Sequence, residues 1–381
     1  MKKIKVMSVF GTRPEAIKMA PLVLELAKRD QIESLCCLTG QHREMLDSVM
    51  QIFRLHGDYD LNIMSKQQTL SSITTKTLLG MEEVLNEAQP DLILVHGDTS
   101  TTFAGALAAF YRKIPVGHVE AGLRTYDKYS PFPEEMNRTL VGDIAELHFA
   151  PTDANAENLR KEAVRGEVFI TGNTVIDAMK TTVRDDYRFT TEALNALDFS
   201  GRKIITLTCH RRENYGQPMQ DIFRAVRTVV QAHPQVEVVY PVHLSPAVRD
   251  CAFRELGGID RIHLIDPIDV EEMHNLIARS YLVLTDSGGL QEEAPAMGKP
   301  VLVLRRETER PEAVKAGTVK LAGVCYEEIV RLTNALLDQP ELYAQMAHAV
   351  NPYGDGNACP RIADAILYHA GLRDTPPESF G

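Results

Sequence analysis

Short apolar segments that alternate with longer helix-forming segments run through the whole chain, and this alternation restricts the fold more than any other feature. Parallel strands joined by helices give this pattern, because such strands are covered on both faces and need no polar side. The pattern therefore predicts an α/β protein with parallel sheets. The predicted strands are residues 4–10, 34–39, 92–96, 116–120, 148–150, 168–171, 204–208, 236–242, 262–265, 282–285, 301–304 and 319–321.

The length of 381 residues has room for two domains, and the rhythm of strands and helices is interrupted near Thr171-Gly172-Asn173. We predict an N-terminal Rossmann-like domain of residues 1–171 and a C-terminal Rossmann-like domain of residues 172–358. A final helix within residues 359–381 is expected to pack back on the first domain. Open parallel sheets bind ligands at the carboxyl ends of their strands, so we expect the site in the cleft between the domains.

Composition excludes several classes of function. The 41 basic and 52 acidic residues leave a net charge of −11, which argues against nucleic acid or a membrane surface as partner. No apolar run approaches the roughly 20 residues of a membrane span, and the first residues lack a signal-peptide pattern, so we predict a cytoplasmic protein. The six scattered cysteines form no C-x-x-C pair, which is typical of reduced thiols rather than of disulfides or a zinc site.

One strand, turn and helix start, in residues 282–294, has the composition of an anion site. Ser287 can cap the helix or bind a phosphate oxygen, and Gly288 and Gly289 let a ligand approach the backbone. Glu292 and Glu293 lie one turn further on, where a carboxylate can reach sugar hydroxyls. An ordinary turn with a capping serine explains the same residues equally well.

A second anion-binding candidate follows the first strand, in Gly11-Thr12-Arg13-Pro14-Glu15. Pro14 suits the first turn of a helix, and Lys18 lies one turn further on. A helix start disfavours positive charge, so the presence of Arg13 and Lys18 there favours a functional interpretation over a merely exposed pair.

Three carboxylates are expected at one edge of the first sheet. Asp98 and Glu120 follow successive predicted strands, and Glu134 opens the next helix. Clustered carboxylates raise one another's pKa values, which suits proton transfer. Asp98 is equally suited to cap a helix, and Glu134 to complement the dipole of its helix.

The second half contributes cationic and imidazole side chains at its own strand ends. His210 and Arg211 follow the first strand of that half, His243 follows the second, and Arg310 lies in a later loop suited to a pyrophosphate or a sugar. The histidines lack a compact metal-ligand spacing, so we expect no metal. Cys209 and His210 are neighbours on an extended chain and would point to opposite faces, which disfavours a nucleophile pair.

Taken together, the motifs resemble those of the bacterial non-hydrolysing UDP-N-acetylglucosamine 2-epimerases. The resemblance covers nearly the whole length, and its specificity comes from the number of motifs in order. It implies a GT-B fold, a homodimer, no cofactor, and interconversion of UDP-N-acetylglucosamine with UDP-N-acetylmannosamine. The motifs begin at Gly11, His96, Gly117, Pro133, His210, Asp286 and Thr308.

The resemblance also implies roles for individual residues. Asp98, Glu120 and Glu134 match the catalytic carboxylates, and His210 matches an essential imidazole that we assign to the departing phosphate. The nucleotide would be bound by Arg13, Ser287, Gly288, Gly289 and Glu293, with Glu293 on the ribose, while Arg310 resembles a sugar-contacting arginine and Lys18 a lysine near the reacting centre.

Many members of this family also bind a second UDP-N-acetylglucosamine as an activator. The matching contacts would lie around Gln41, Glu44, Gln67, Arg211 and His243. Similar proteins carry Gln and Arg where this chain has Glu44 and Gln67. This loss of positive charge and gain of negative charge should weaken binding of a pyrophosphate, so we expect weak activation or none.

Three other functions remain compatible with the same motifs. A hydrolysing epimerase would release free N-acetylmannosamine, and a GT-B glycosyltransferase would pass the sugar to an acceptor. A UDP-sugar sensor would bind the nucleotide sugar without chemistry.

Overall fold

The computed structural model describes residues 3–40, 43–65, 68–308 and 310–381. The chain forms two compact units: unit 1 comprises Met1–Thr181 with Tyr353–Gly381, and unit 2 is Thr182–Pro352. None of the helices in the described ranges combines the length and the apolar character needed to cross a membrane.

Strands and helices alternate strictly in unit 1 before the chain leaves it. In chain order its elements are β1 (Ile4–Phe10), α1 (Arg13–Ala27), β2 (Ile32–Leu38), α2 (Arg43–Ile52), β3 (Tyr59–Asp60), α3 (Leu70–Ala88), β4 (Leu92–His96), α4 (Ser100–Tyr111), β5 (Val116–Val119), α5 (Glu134–Ile144), β6 (Leu147–Ala150), α6 (Asp153–Lys161), β7 (Glu167–Ile170) and α7 (Thr174–Thr182).

Unit 2 repeats the alternation, and the chain then returns to unit 1 for its last helix, α16 (Ala358–His369), which packs on α1. The elements of unit 2 are α8 (Glu192–Asn195), β8 (Lys203–Thr208), a 3₁₀ turn (Arg212–Asn214), α9 (Gln217–Ala232), β9 (Val236–Pro241), α10 (Pro246–Leu256), β10 (Ile262–Ile265), α11 (Val270–Arg279), β11 (Leu282–Thr285), α12 (Leu290–Ala296), β12 (Val301–Val303), α13 (Pro311–Ala316), β13 (Val319–Leu321), α14 (Tyr326–Asp338) and α15 (Pro340–Ala347).

Both sheets are parallel and share one strand order. Unit 1 has the order β3-β2-β1-β4-β5-β6-β7, and unit 2 has the order β10-β9-β8-β11-β12-β13. In each, the first strand of the unit lies between the second and the fourth, so the chain reverses direction across the sheet at that point. Doubly wound sheets bind ligands at this switch point. The prediction of two Rossmann-like domains with parallel sheets is confirmed.

The apolar strands form the centre of each core. In unit 1, the paired residues Val9 and Val95 of β1 and β4 are 1% and 0% exposed. The preceding pair, Ser8 and Leu94, points to the opposite face and is also 0% exposed, so neither face of the sheet meets water there. In unit 2, α9 buries Met219, Phe223 and Val226 at helical spacing against the sheet. The two-residue β3 was not predicted, because so short a strand leaves no periodic pattern in the sequence.

The turn after β5 contains a glycine that no other residue can replace without strain. Gly122 has φ +89°, and a Cβ built there would lie 2.2 Å from the Asn155 carbonyl oxygen of α6. Both the backbone conformation and the close approach therefore require glycine.

We expect Gly122→Ala to lower the free energy of unfolding by roughly 2–4 kcal/mol, because backbone strain and a steric clash add. Gly371→Ala is the control, since Gly371 has φ +67° in unit 1 but open space around its Cβ position. The control should cost only about 1 kcal/mol. Denaturant unfolding measures both, and equal losses would contradict the clash.

Candidate functional site

The switch point of unit 1 is lined by several of the predicted site residues. Arg13 follows β1, Asp98 follows β4, and Glu134 is the first residue of α5. These three side chains border one pocket of about 390 Å³, together with Thr12, Pro14, Leu70, Thr99, Ser100, Pro133 and Asn137. The pocket therefore has a cation and two carboxylates in its wall.

A buried glutamate, Glu15, joins the two loops at this switch point. Its Oε2 accepts hydrogen bonds from the backbone N–H groups of Gly11 and Thr12, at 3.0 and 2.7 Å. Its Oε1 accepts from the hydroxyls of Thr99 and Thr102, at 2.7 and 3.1 Å. The loop that carries Arg13 is thereby fixed to the loop that carries Asp98. No role was predicted for Glu15, although the pattern Thr12-x-x-Glu15 is typical of a capping box, which the structure contains.

Asp98 is held by the helix opposite it. Arg138 Nη2 lies 2.7 Å from Asp98 Oδ2, and Asn137 donates to the Asp98 carbonyl oxygen at 2.8 Å. Burial raises the pKa of Asp98, and the nearby carboxylates Glu120 and Glu134 raise it further against the opposing effect of Arg138. The cap of α4 is Thr99 rather than Asp98, so the alternative interpretation of Asp98 as a helix cap is wrong.

Glu120 follows β5 in a left-handed backbone conformation, with φ 62°. Its Oε2 forms an ion pair with Lys18, accepts from Asn173 Nδ2 at 3.0 Å, and lies 3.6 Å from His96 Nε2. Burial alone would raise the pKa of Glu120, but the Lys18 ammonium and the His96 imidazole outweigh burial and hold that pKa well below its ordinary value. Glu120 is therefore an anion at neutral pH.

The pKa values of the two carboxylates are thus shifted in opposite directions although the groups act on each other. Asp98 has a raised pKa and Glu120 a lowered one. Such opposite shifts are the electrostatic condition for one group to hold a proton while the other accepts one. Glu134 is half-buried at the pocket wall, where its charge contributes to the raised pKa of Asp98.

The buried His118 supports the loop that precedes Asp98. Its Nε2 lies 2.7 Å from the Gly97 carbonyl oxygen, and Gly97 has φ 65°. Burial lowers the pKa of His118 to about 3, so the ring is neutral and its Nε2–H donates to that carbonyl. His118 therefore stabilises the turn before Asp98, and His96 lies against Glu120.

The switch point of unit 2 is organised by another buried acid, Asp286, which is 0% exposed at the end of β11. Its Oδ2 accepts from the backbone N–H groups of His210 and Arg211, both at 2.8 Å, and from Asn214 Nδ2 at 3.1 Å. The loop after β8 is thereby fixed to the end of β11. Asp286 belongs to the predicted anion-binding stretch of residues 282–294, but no role was predicted for it.

His210 stacks on His243, with ring centroids 5.4 Å apart and an interplanar angle of 20°. Burial lowers the pKa of His210, His243 and Arg211 lower it further, and the Asp286 carboxylate opposes them. His210 Nε2 lies 3.8 Å from Asp286 Oδ1. The imidazole is therefore mainly neutral near pH 7 and can donate a hydrogen bond. Cys209 has a strongly raised pKa through burial and Asp286, which removes it as a nucleophile.

Two guanidinium groups lie over Gly288. A Cβ built on Gly288 would be 3.8 Å from Arg211 Nη2 and 3.9 Å from Arg310 Nη2. Arg310 Nε also forms an ion pair with Glu292, which is only 3% exposed. Glu292 therefore holds Arg310 in place, a contact that the sequence did not reveal because the two residues are 18 positions apart.

The remaining residues of the anion-binding stretch are arranged around the same turn. The backbone N–H of Ser287 donates to Thr285 Oγ1 at 2.9 Å, and its side chain does not cap α12, whose cap is Gly289. A Cβ on Gly289 would be 3.1 Å from Glu293 Oε1, and Glu293 Oε2 lies 3.4 Å from His274 Nε2. The capping interpretation of Ser287 is therefore wrong.

The expected activator contacts are only partly described. Gln41 and Gln67 lie outside the described residues, and Glu44 belongs to α2. Arg211 and His243 lie beside His210, as given above. The expectation of weak activation stays a prediction.

The chain is similar to known proteins over most of its length. A family model described as UDP-N-acetylglucosamine 2-epimerase matches residues 24–367. The UDP-N-acetylglucosamine 2-epimerase of Bacillus subtilis is 56% identical over 382 residues, which span 100% of this chain and 99% of that protein.

Solved structures show the same similarity. The S. aureus MnaA–UDP structure has a TM-score of 0.89 and 50% identity, with 100% of both chains covered. The structure of UDP-GlcNAc 2-epimerase from Neisseria meningitidis bound to UDP-GlcNAc has a TM-score of 0.85 and 48% identity, covering 96% of this chain and 100% of that one. With the two parallel sheets, these similarities confirm the predicted GT-B fold.

The electrostatic surroundings of His210 can be tested by NMR. We expect Asp286→Asn to lower the pKa of His210 further, because it removes the nearby negative charge, and His243→Gln to raise it, because it removes a group that opposes protonation. Histidine-labelled protein is titrated, and His210→Gln identifies the resonance. Shifts of the same sign in both variants would contradict this arrangement.

Proposed function

Because the chain belongs to the UDP-N-acetylglucosamine 2-epimerase family, as its motifs predicted, we propose that it interconverts UDP-N-acetylglucosamine and UDP-N-acetylmannosamine without hydrolysis. The observation that carries the proposal is the pair of carboxylates with opposite pKa shifts, Asp98 after β4 and Glu120 after the neighbouring strand β5. Inversion at C2 needs one group that accepts a proton and another that delivers one.

The proposed reaction is elimination followed by re-addition. No carbonyl activates C2 of the sugar, so direct proton exchange there is slow. The C1–O bond breaks with its electron pair leaving on the β-phosphate of UDP, and the C2 proton passes to a base. The C–H electron pair forms the C1=C2 bond of 2-acetamidoglucal. UDP then adds back to C1 as C2 takes a proton on the opposite face. No atom changes its net oxidation state, so the reaction needs no redox cofactor.

Unit 1 is proposed to supply the proton transfers. Glu120 is ionised and can accept the C2 proton, whereas Asp98, with its raised pKa, can deliver one. In the reverse direction the two exchange roles. Glu134, in the same pocket wall as Asp98, keeps the pKa of Asp98 high, and Arg13 and Lys18 supply positive charge to the substrate side.

Unit 2 is proposed to hold the leaving group. Arg211 and Arg310 converge over Gly288, where the absent side chain leaves space for a pyrophosphate. His210, mainly neutral near pH 7, would donate a hydrogen bond to the departing phosphate. Ser287 and Gly289 would bind phosphate oxygens, and Glu293 would accept from the ribose hydroxyls. The S. aureus and N. meningitidis structures contain UDP and UDP-GlcNAc, which supports this choice of ligand.

We further propose that the product supplies N-acetylmannosamine for a cell-surface polysaccharide. The six cysteines of the chain are all unpaired, which favours the reducing cytoplasm as the place of action.

The reaction is tested by incubating the protein with UDP-N-acetylglucosamine in D₂O. We expect UDP-N-acetylmannosamine with deuterium at C2, detected by NMR and mass spectrometry. Asp98→Asn, Glu120→Gln and Glu134→Gln should each lower turnover by roughly 10²- to 10⁴-fold, the usual effect of losing a general acid or base. Glu157→Gln is the matched control, because its carboxylate is 52% exposed on α6.

Each competing function has its own result in that experiment. Free N-acetylmannosamine as the main product would indicate a hydrolysing enzyme. Binding without deuterium at C2 would indicate a glycosyltransferase, if an acceptor then takes the sugar, or otherwise a sensor. Wild-type turnover in all three carboxylate variants would remove the proposed acid–base mechanism.

We also propose that the protein is a homodimer, as its family resemblance implies. Unit 1 exposes large apolar side chains on neighbouring helices: Leu79 of α3 is 58% exposed, Phe110 and Tyr111 of α4 are 59% and 64% exposed, and Leu140 of α5 is 36% exposed. These helices pack side by side, α3 on α4 and α4 on α5. Apolar groups gathered on one surface are typical of a protein interface, and a second copy of the chain is the partner we propose.

Size-exclusion chromatography with light scattering should therefore give twice the mass of one chain. Phe110→Arg should shift the protein toward the monomer, because a charge in an apolar interface is costly to bury. Val350→Arg is the control, since Val350 is 81% exposed in unit 2 and should leave the mass unchanged. A monomeric wild-type protein at micromolar concentration would refute the dimer.

A further inference from the structure

Asn173 lies directly beside the carboxylate of Glu120. It is 4% exposed, in the turn between β7 and α7, and its Nδ2 donates to Glu120 Oε2 at 3.0 Å. The two residues are 53 positions apart in the chain. Asn173 has no place in the proton transfers proposed above.

The orientation of the Asn173 amide is fixed by its own bonds. Its Oδ1 accepts from the Val175 N–H at 3.1 Å, at the start of α7, so its Nδ2 must face Glu120. Its backbone N–H donates to the Tyr353 carbonyl oxygen at 2.6 Å, and its carbonyl accepts from the Ile176 N–H at 3.1 Å. Both the side chain and the main chain of Asn173 are therefore held before any substrate arrives.

The donors around Glu120 all converge on one of its oxygens. Lys18 Nζ, Asn173 Nδ2 and, at 3.6 Å, His96 Nε2 face Oε2. Each of these three contacts is made to Oε2, and Oε1 is the other oxygen of the same carboxylate. A carboxylate anchored through one oxygen cannot rotate freely, so Oε1 has one fixed direction.

We propose that Asn173 is a positioning residue, which anchors Glu120 through Oε2 and leaves Oε1 as the oxygen that takes and returns the substrate proton. This inference rests on the proposed function, in which Glu120 carries that proton. Lys18 provides most of the positive charge beside Oε2, but its long, flexible side chain fixes the position of the Glu120 carboxylate poorly. The fixed amide of Asn173 adds the geometric constraint.

The charged and titratable groups that face Glu120 set the expected pH behaviour. They are Lys18 on α1, His96 on β4 and Asp98 after β4. Removing the Asn173 donor takes away one group that favours the ionised carboxylate, so the pKa of Glu120 rises. The acid limb of the pH–rate profile, where the base becomes protonated, then moves to higher pH.

The test compares Asn173→Ala, Asn173→Asp and Asn158→Ala with the wild-type protein. Asn158 is a matched control, since its Nδ2 donates at 3.0 Å to the carbonyl oxygen of Gly122, two residues after Glu120. Rates of C2 deuterium incorporation are measured from the lowest pH at which each variant stays folded up to pH 9, with saturating and limiting UDP-N-acetylglucosamine. Thermal unfolding is recorded for every variant.

For Asn173→Ala we expect kcat at pH 7 to fall roughly tenfold, with KM nearly unchanged, because one charge-assisted hydrogen bond is lost at the base. Its acid limb should move to higher pH.

Asn173→Asp keeps the acceptor for the Val175 N–H, so it preserves the start of α7, but it turns a carboxylate oxygen toward Glu120. Its acid limb should move further than that of Asn173→Ala. Asn158→Ala should keep the wild-type limb.

Several outcomes would overturn the inference. If the acid limb of folded Asn173→Asp stays at the wild-type pH, Asn173 does not act on Glu120. If the limb of Asn158→Ala moves as far as that of Asn173→Ala, the effect is a general loosening of the loop. If Asn173→Ala does not fold, Asn173→Asp alone decides. Failure of the proposed function is distinguishable, because the wild-type protein itself would then incorporate no deuterium.

Discussion

Each sheet reverses its strand order next to its first strand, and the chemistry of the whole molecule depends on that constraint. At a reversal, two neighbouring loops leave the sheet in opposite directions and open a space at the carboxyl ends of the strands. In unit 1 the two loops follow β1 and β4 and carry Arg13 and Asp98. In unit 2 they follow β8 and β11 and carry His210 and Ser287.

Two loops that diverge need something to hold them, and both units use a buried carboxylate. In unit 1, Glu15 lies in the first turn of α1 and accepts from Thr99, the cap of α4, and from Thr102 in the first turn of α4. In unit 2 the carboxylate lies on the other side of the reversal. Asp286 follows β11 and accepts from the backbone N–H groups of His210 and Arg211, which follow β8. Burying a carboxylate costs free energy unless hydrogen bonds compensate for the lost water. Each carboxylate therefore stabilises its site only while the donors from both sides are in place.

The sequence predicted the fold almost completely, because the strands in the described residues have three or more residues and are recognisable, except β3, which has only two. It also predicted which residues lie at the strand ends. What it did not predict were the contacts between distant segments, such as Glu292 with Arg310 and Asn173 with Glu120. These depend on side-chain directions in the folded chain, which spacing along the sequence does not contain. The caps are an intermediate case: Asp98 and Ser287 were plausible caps by residue type, but Thr99 and Gly289 occupy those positions.

The opposite pKa shifts of Asp98 and Glu120 follow from how the cations are distributed rather than from burial, which raises the pKa of both groups. Lys18 forms its ion pair with Glu120, and the imidazole of His96 adds to it. Arg138 faces Asp98, but the same guanidinium lies 3.5 Å from Glu135, so its charge is shared between two acids. The negative charges of Glu120 and Glu134 then act on Asp98 with less compensation. Stabilising Glu120 as an anion is thus one of the causes that raise the pKa of Asp98.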